Sequence, residues 1–349
     1  MNILSLFDGM SCGQIALNRA GITVDNYYAS ELDKYAISVT QANYPDTVQL
    51  GDVTNWREWD IDWASTDLLI GGSPCQGFSF AGKQLAFDDP RSKLFFVYVD
   101  ILSHIRLVNP DVKFMLENVR MKKEYLGIIS DQLGVEPVFI NSALVSAQNR
   151  NRYYWASWEF GQPDDKGLIL SDILEKESDN FTFMSDKFVN RQKGRKCLRD
   201  DFTGKAVNLS AMEYVKNGRQ GDYINHVVVM KQRPRGYNKG FEKEVTKCPT
   251  LSSNSFEHNN HIKSMYVHGD RGPQFMDGGK AYALTATSAA GGKAMVSIDS
   301  AYRKLTPIEC ERLQTVSDNY TNHVSNTQRY KMLGNGWTVD VISHIFKSM

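Results

Sequence analysis

The chain has no apolar run approaching the roughly 18 residues that cross a bilayer, which removes a helical membrane span from the expectations. Its start, Met1-Asn2-Ile3-Leu4-Ser5-Leu6, lacks the basic region and cleavage site of a secretory leader, so the cytoplasm is the expected location. No Cys-x-x-Cys pair occurs, and the five cysteines, at 12, 75, 197, 248 and 310, leave one odd, which fits free thiols in a reducing compartment. Cys248, His258, His261 and His268 match no standard zinc spacing, so no metal is expected. Gly-x-Gly-x-x-Gly is also absent, which speaks against a dinucleotide oxidoreductase. Net charge is missing as well: 40 Lys and Arg face 40 Asp and Glu.

The distribution of that charge is uneven. Residues 1 to 186 hold 15 basic and 26 acidic side chains, residues 187 to 295 hold 19 and 9, and residues 296 to 349 hold 6 and 5. A basic segment inside an acidic chain is the footprint of a polyanion-binding insert, or else a solvated surface complementary to the acidic part. With 349 residues and 42% hydrophobic content, the chain can bury one large core and add a smaller domain.

Asn2 to Leu6 reads as a strand, and Phe7-Asp8-Gly9-Met10-Ser11-Cys12-Gly13 as a turn into a helix whose inner face carries Ile15, Ala16 and Ala20. Val24 to Ser30 reads as a second strand closed by Glu31, and Val48 to Leu50 as a third, closed by Gly51-Asp52-Val53. Carboxylates at such strand ends can accept hydrogen bonds from ribose hydroxyls and an adenine amino group. Leu68 to Ile70 forms a fourth strand, residues 78 to 91 a long loop suited to a mobile lid, and 94 to 105 a helix with a core-facing stripe. A fifth strand, Phe114 to Leu116, ends in Glu117-Asn118-Val119; helix 122 to 133 and strands 136 to 141 and 153 to 156 follow. The alternation predicts a mainly parallel sheet with helices on both faces.

Gly71-Gly72-Ser73-Pro74-Cys75-Gln76 stands at the end of the fourth strand. The glycines permit close approach to a ligand and Pro74 stiffens the turn, so one thiol is presented at the sheet's carboxyl edge. In Gln148-Asn149-Arg150-Asn151-Arg152 two guanidiniums lie an even step apart, and at strand spacing they point the same way.

The polar cluster 161 to 167 marks a boundary, beyond which the rhythm of strand and helix is lost until about residue 297. Inside this stretch, residues 247 to 255 and 280 to 288 align as a faint repeat, read as loop-bearing strands of a small domain. Arg233, Arg235, Lys239, Asn254, Asn259 and Asn260 are its candidates for phosphates and base edges. Thr306-Pro307-x-Glu309 then reads as a helix start, and Gly334-Asn335-Gly336 as a glycine turn opening a final helix.

Six stretches in this order, Phe7-x-Gly9-x-x-x-Gly13, Ser73-Pro74-Cys75-Gln76, Glu117-Asn118-Val119, Gln148-x-Arg150-x-Arg152, the run 303 to 314 and Gly334-Asn335, resemble the motifs of the C5-cytosine DNA methyltransferases. The likeness spans nearly the whole chain. Ser11 departs from the commoner glycine and looks more like the animal de novo enzymes, and Gly336 stands where Ser or Ala is usual. The resemblance implies an α/β, Rossmann-like S-adenosylmethionine-dependent methyltransferase sheet over 1–167, a loop-rich target-recognition domain over 168–297, and a segment 298–349 that returns to the catalytic domain.

It further implies that Cys75 is the nucleophile that attacks cytosine C6, that Glu117 holds N3, and that Arg152, with Arg150, braces O2. Phe7, Asp8, Gly9, Gly13, Glu31, Asp52, Val53, Pro74 and Asn335 match cofactor positions. The implied partner is double-stranded DNA with the target base flipped out; a cognate restriction endonuclease is optional, and a monomer is expected. A transfer RNA cytosine methyltransferase and a catalytically silent DNA-binding regulator are the alternatives. The long basic insert favours DNA over RNA, and intact Cys75, Glu117 and Arg152 argue against silence.

Overall fold

The computed structural model describes residues 1–74, 93–175, 229–232, 241–244, 248–249, 260–263 and 302–349. The chain divides into two compact units. One comprises Met1–Glu175, Lys247–Glu257 and Pro307–Met349; the other comprises Lys176–Thr246 and His258–Thr306.

The first unit is built on a seven-stranded sheet. In chain order its elements are β1 (Asn2–Leu6), α1 (Cys12–Ala20), β2 (Asn26–Ser30), α2 (Lys34–Asn43), β3 (Val48–Gln49), β4 (Leu68–Gly71), α3 (Leu94–Val108), β5 (Lys113–Val119), α4 (Lys123–Leu133), β6 (Val138–Asn141), β7 (Gln148–Asn149), β8 (Asn151–Ala156) and α5 (Leu170–Ile173). The strand order is β3-β2-β1-β4-β5-β8-β6. Pairings from β3 through β5 are parallel, and β8 enters antiparallel between β5 and β6. The connection turns back at β1, where β2 and β4 lie on opposite sides; that is where an open α/β sheet leaves a crevice at its carboxyl edge.

Both faces are covered, which is why the central strands are apolar without alternation. Leu4, Leu6, Leu69, Phe114 and Leu116 pack in one cluster with Phe95, Tyr98, Ile101, Leu102 and Ile105 of α3 and Ile129 and Leu133 of α4. On the other face a Cβ added at Gly13 of α1 would lie 2.6 Å from Ile70 Cδ1 and 2.7 Å from the Tyr27 hydroxyl. Glycine is therefore what lets α1 settle onto β2 and β4.

The C-terminal part supplies α6 (Pro307–Leu313), α7 (Asn326–Asn335) and α8 (Val339–Lys347). Pro307 opens α6 as the Thr-Pro-x-Glu spacing predicts. The glycine turn expected at 334 to 336 is shorter than anticipated, because Gly334 and Asn335 close α7. Few apolar residues mark α7, so periodicity could not show it. Val341, Ile342, Ile345 and Phe346 of α8 are buried, and α8 packs against α1. In addition, β11 (Cys248–Pro249), the described part of the first repeat copy, pairs with β7.

The described strands of the second unit form an antiparallel sheet: β9 (Val229–Gln232), β10 (Phe241–Glu244), β12 (Asn260–Lys263) and β13 (Tyr302–Lys304), in the order β10-β9-β12-β13. Asn260 opens β12; Arg233, Arg235, Lys239, Asn254 and Asn259 lie outside the described residues. No helix among the described residues is long and apolar enough to cross a membrane.

A buried charge pair ties α6 to α7. Glu311 is fully buried, and its Oε1 accepts from Arg329 Nη2 at 2.9 Å and from the Thr321 amide at 2.9 Å, while Oε2 accepts from the Asn319 amide at 2.7 Å. Arg329→Met leaves that carboxylate without its counter-charge, and the expected loss is about 3–5 kcal/mol of unfolding free energy. Urea unfolding measures it; a loss under about 1 kcal/mol would mean the pair is dispensable.

Candidate active site

The turn after β1 is held in an unusual backbone form. Phe7 and Ser11 both have φ 59°, and Gly9 has φ 61°. For two L-residues this is costly, so something must stabilise it. Asp8 supplies the brace: its Oδ1 accepts from the Ser5 hydroxyl at 2.6 Å and the Tyr27 hydroxyl at 2.8 Å, and its Oδ2 accepts from the Ser11 hydroxyl. Although the residue keeps some exposure, its carboxyl is enclosed by these groups, and burial pushes it up to about 6 against the pull of the three hydroxyl donors.

Of the expected cofactor residues beyond this turn, Glu31 bonds it directly, and the others lie elsewhere in the first unit. Glu31, just past β2, accepts from the Gly9 amide at 2.8 Å through Oε2, and from the Leu32 and Asp33 amides at 2.8 Å through Oε1. Asp52 caps the 3-10 turn Val53–Glu58, accepting through Oδ1 from the Thr54 amide at 2.9 Å. Val53 is buried in the core and Gly13 serves helix packing, as described above. Asn335 is exposed at the last position of α7, and Pro74 is partly exposed. Leu32, 68% exposed beside Glu31, drew no notice from sequence, since a single Leu in a polar stretch carries no pattern.

The second group lies at the ends of β4 and β5. Their parallel register pairs Gly71 with Leu116, which brings Gly72 beside Glu117. A Cβ on Gly72 would stand 2.9 Å from Trp337 Nε1 and 3.1 Å from Glu117 Oε2. Asn118 Nδ2 donates to Ser73 Oγ at 3.2 Å, tying the end of β5 to the segment that precedes the thiol. Cys75 itself and the expected lid, 78 to 91, lie outside the described residues.

Glu117 is nearly buried and has two partners among the described residues. Arg152 Nε sits 2.7 Å from Oε1 but out of hydrogen-bond alignment, so this is a charge contact rather than a directed bond. Trp337 Nε1 donates to Oε2 at 3.1 Å. Nothing in the sequence marks Trp337, because an aromatic in a short turn resembles ordinary packing.

The two arginines do not act as one strand-borne pair. β7 ends at Asn149 and β8 begins at Asn151, because the Arg150 backbone is taken by Asn141 and Ser142. The guanidiniums therefore meet different groups. Arg150 donates to the carbonyls of Gly334 at 3.3 Å and Gly336 at 2.9 Å, a cation on the carbonyl end of α7. Arg152 alone meets Glu117.

Among the described residues the thiols are unsuited to nucleophilic work. Burial pushes the Cys12 thiol up to about 12 and raises those of Cys248 and Cys310 as well, which keeps all three protonated at neutral pH.

Residues 1–349 match the family model described as C-5 cytosine-specific DNA methylase. The chain is 27% identical to Type II methyltransferase M1.ScrFI of Lactococcus lactis subsp. cremoris, over 99% of this chain and 77% of that protein. It is 26% identical to Orphan methyltransferase M.SPRI of Bacillus phage SPR, over 100% of this chain and 97% of that one. Among solved structures, the Entamoeba histolytica methyltransferase EhMeth superposes with a TM-score of 0.64 at 15% identity, over 99% of this chain and 96% of that chain; this likeness concerns the fold.

The Asp8 brace carries a pH signature. Its folded value lies above the 3.8 of a free carboxyl, so the native state binds the extra proton. The associated stability is fully present below about pH 4 and is lost as pH rises through about 6. Urea unfolding of the wild type and of Asp8→Asn from pH 4 to 7.5 should show a difference that shifts by about 1–3 kcal/mol in favour of the variant across that window. A difference independent of pH would remove Asp8 as the titrating group.

Proposed function

Given that the chain belongs to the C-5 cytosine-specific DNA methylase family, we propose that it transfers a methyl group from S-adenosylmethionine to C5 of a cytosine flipped out of sequence-specific double-stranded DNA, through a transient bond between Cys75 and C6. The observation that carries this reading is the convergence of Gly72, Glu117, Arg152 and Trp337 at one strand edge, next to the segment that leads into Cys75. Cys75 stands three steps along the chain from Gly72, with two residues between them, a span of at most about 11 Å by covalent geometry.

Cytosine C5 is a weak nucleophile, which explains the residue types. Addition of the Cys75 thiolate to C6 moves electron density to N3 and turns C5 into an enamine carbon. Glu117 holds N3 while charge develops there, and Arg152 keeps the carboxylate company and braces O2, with Arg150 fixing the turn behind them. After methylation, loss of the C5 proton expels the thiolate and restores the ring. Because C6 is shielded in a stacked duplex, the base must leave the helix, which costs on the order of a few kcal/mol.

The groups around the first turn fit S-adenosylmethionine, which when bound supplies an electrophilic methyl on a sulfonium. Phe7, Gly9 and Ser11 keep the backbone open at the sheet's crevice. Glu31 and Asp52 present partly exposed carboxylates for hydroxyl and amino donors, and exposed Leu32 offers an apolar surface to a flat ring. Pro74 and Asn335 complete the expected contacts.

We assign residues 1–167 to catalysis, 168–297 to target recognition and 298–349 to the returning segment. The basic balance of 187 to 295 supports a polyanion partner. The acidic part contributes too: Arg120, Lys122 and Lys123 are all exposed just beyond the carboxyl end of β5. We read them as phosphate contacts flanking Glu117. The protein acts as a cytoplasmic monomer that needs no companion endonuclease for methylation.

Cys75→Ala should abolish methyl transfer from labelled donor to duplex DNA while leaving donor binding within about twofold; retained transfer would refute the nucleophile. Transfer RNA in the same assay should accept no label, and label on transfer RNA but not on DNA would move the substrate to RNA. Replacing Arg120, Lys122 and Lys123 together with Ala should flatten the dependence of DNA affinity on salt by roughly 0.9 logarithmic units per lost contact, and an unchanged slope would remove them from the interface.

A further inference from the structure

We propose that Trp337 is a positioning residue for methyl transfer, one that fixes the orientation of the Glu117 carboxylate. The inference rests on the reading of Glu117 as the group that holds the cytosine ring. A carboxylate on a strand can rotate about its last torsion, a broad and nearly two-fold well, so a point charge beside it does not define its plane. Arg152 is such a charge: its Nε lies 2.7 Å from Oε1 without hydrogen-bond alignment. The indole N–H, 3.1 Å from Oε2, is the directional side-chain donor that Glu117 has among the described residues. Indole donates and cannot accept, so it can hold a carboxylate oxygen only as a lone-pair acceptor.

The turn that carries the indole is anchored on both flanks. Arg150 Nη2 grips the Gly336 carbonyl at 2.9 Å, immediately before Trp337. Immediately after it, Thr338 Oγ1 donates to Gln314 Oε1 at 2.9 Å. The far rim of the ring faces Gly13 of α1, where an added Cβ would lie 3.8 Å from Trp337 Cζ3. Gly72 makes room for the contact, since a Cβ there would stand 2.9 Å from the indole nitrogen and 3.1 Å from the carboxylate oxygen at once. This also gives Arg150 a part in the site: it acts on Glu117 through the Gly336–Trp337 turn, not by touching it.

The test compares wild type, Trp337→Phe, Gly72→Ala, Glu117→Gln and the Trp337→Phe/Glu117→Gln double variant in single-turnover methyl transfer to duplex DNA, alongside donor Kd and thermal melting. Wild-type activity establishes the underlying reaction independently of the outcome for Trp337. Trp337→Phe keeps a ring and removes the N–H, and should slow single-turnover transfer about tenfold or more with donor Kd and DNA KM within about twofold. Gly72→Ala, which enters the same contact from the opposite side, should reproduce the loss if Trp337→Phe does not fold. In the Glu117→Gln background, followed by the accumulation of covalent complex on 5-fluorocytosine duplex, removing the indole N–H should change the rate less than threefold. An unchanged rate in Trp337→Phe overturns the proposal. So does a loss matched by weaker donor binding, which would make Trp337 a cofactor contact, or an equal loss in both backgrounds, which would make it structural.

Discussion

A nearly buried carboxylate at the end of a central strand is the constraint around which this structure is arranged. Glu117 cannot sit there without a counter-charge and a donor, because removing an ionisable group from water is expensive unless it is paired. Arg152 and Trp337 meet that need from two later parts of the sequence, 35 residues and 220 residues further on. Each placement depends on topology. Arg152 reaches Glu117 because β8 enters antiparallel beside β5, with Val119 opposite Arg152. Trp337 reaches it because α8 returns to pack on α1 and brings the preceding turn over the carboxyl edge of β4.

The same elements serve both halves of the site. α1 packs on β2 and β4 through Gly13, and its leading turn carries the left-handed Phe7, Gly9 and Ser11. Asp8 locks that turn internally to Ser5, Ser11 and Tyr27, and Glu31 ties it to the end of β2 through the Gly9 amide. The edge expected to hold the methyl donor and the edge that holds Glu117 are thus bridged by one indole, which faces Gly13 on one side and donates to Glu117 on the other. Rigidity at this junction matches the needs of a transfer between two bound partners, where misplacement by an ångström is costly.

Much of the sheet was legible because its strands are short apolar runs punctuated by Gly, Asp and Glu, and those punctuating residues fall at the carboxyl edge. Strand limits moved by a few residues: the second begins at Asn26 rather than Val24, and the fifth extends to Lys113–Val119. What resisted reading was contact between segments distant in sequence. Nothing local reveals that Arg150 leaves the strand register to cap α7, since the cause is a backbone engagement with Asn141 and Ser142. α7 escaped notice because its sequence has almost no apolar stripe, and its end is stabilised instead by Arg150 and Gln314 on its last carbonyls. Trp337 escaped for a similar reason: its meaning comes from a carboxylate reached only after the chain has closed on itself.

Methyl transfer by the proposed route requires that one sulfur, Cys75, bonds to a pyrimidine beside Glu117. Incubation of the protein with S-adenosylmethionine and a duplex carrying 5-fluorocytosine at its methylation site, followed by proteolysis and mass spectrometry, locates that bond most directly. The expected result is a stable adduct of methylated fluorocytosine on the peptide containing Cys75. An adduct on any other residue, or none from a preparation that methylates ordinary duplex, would contradict it.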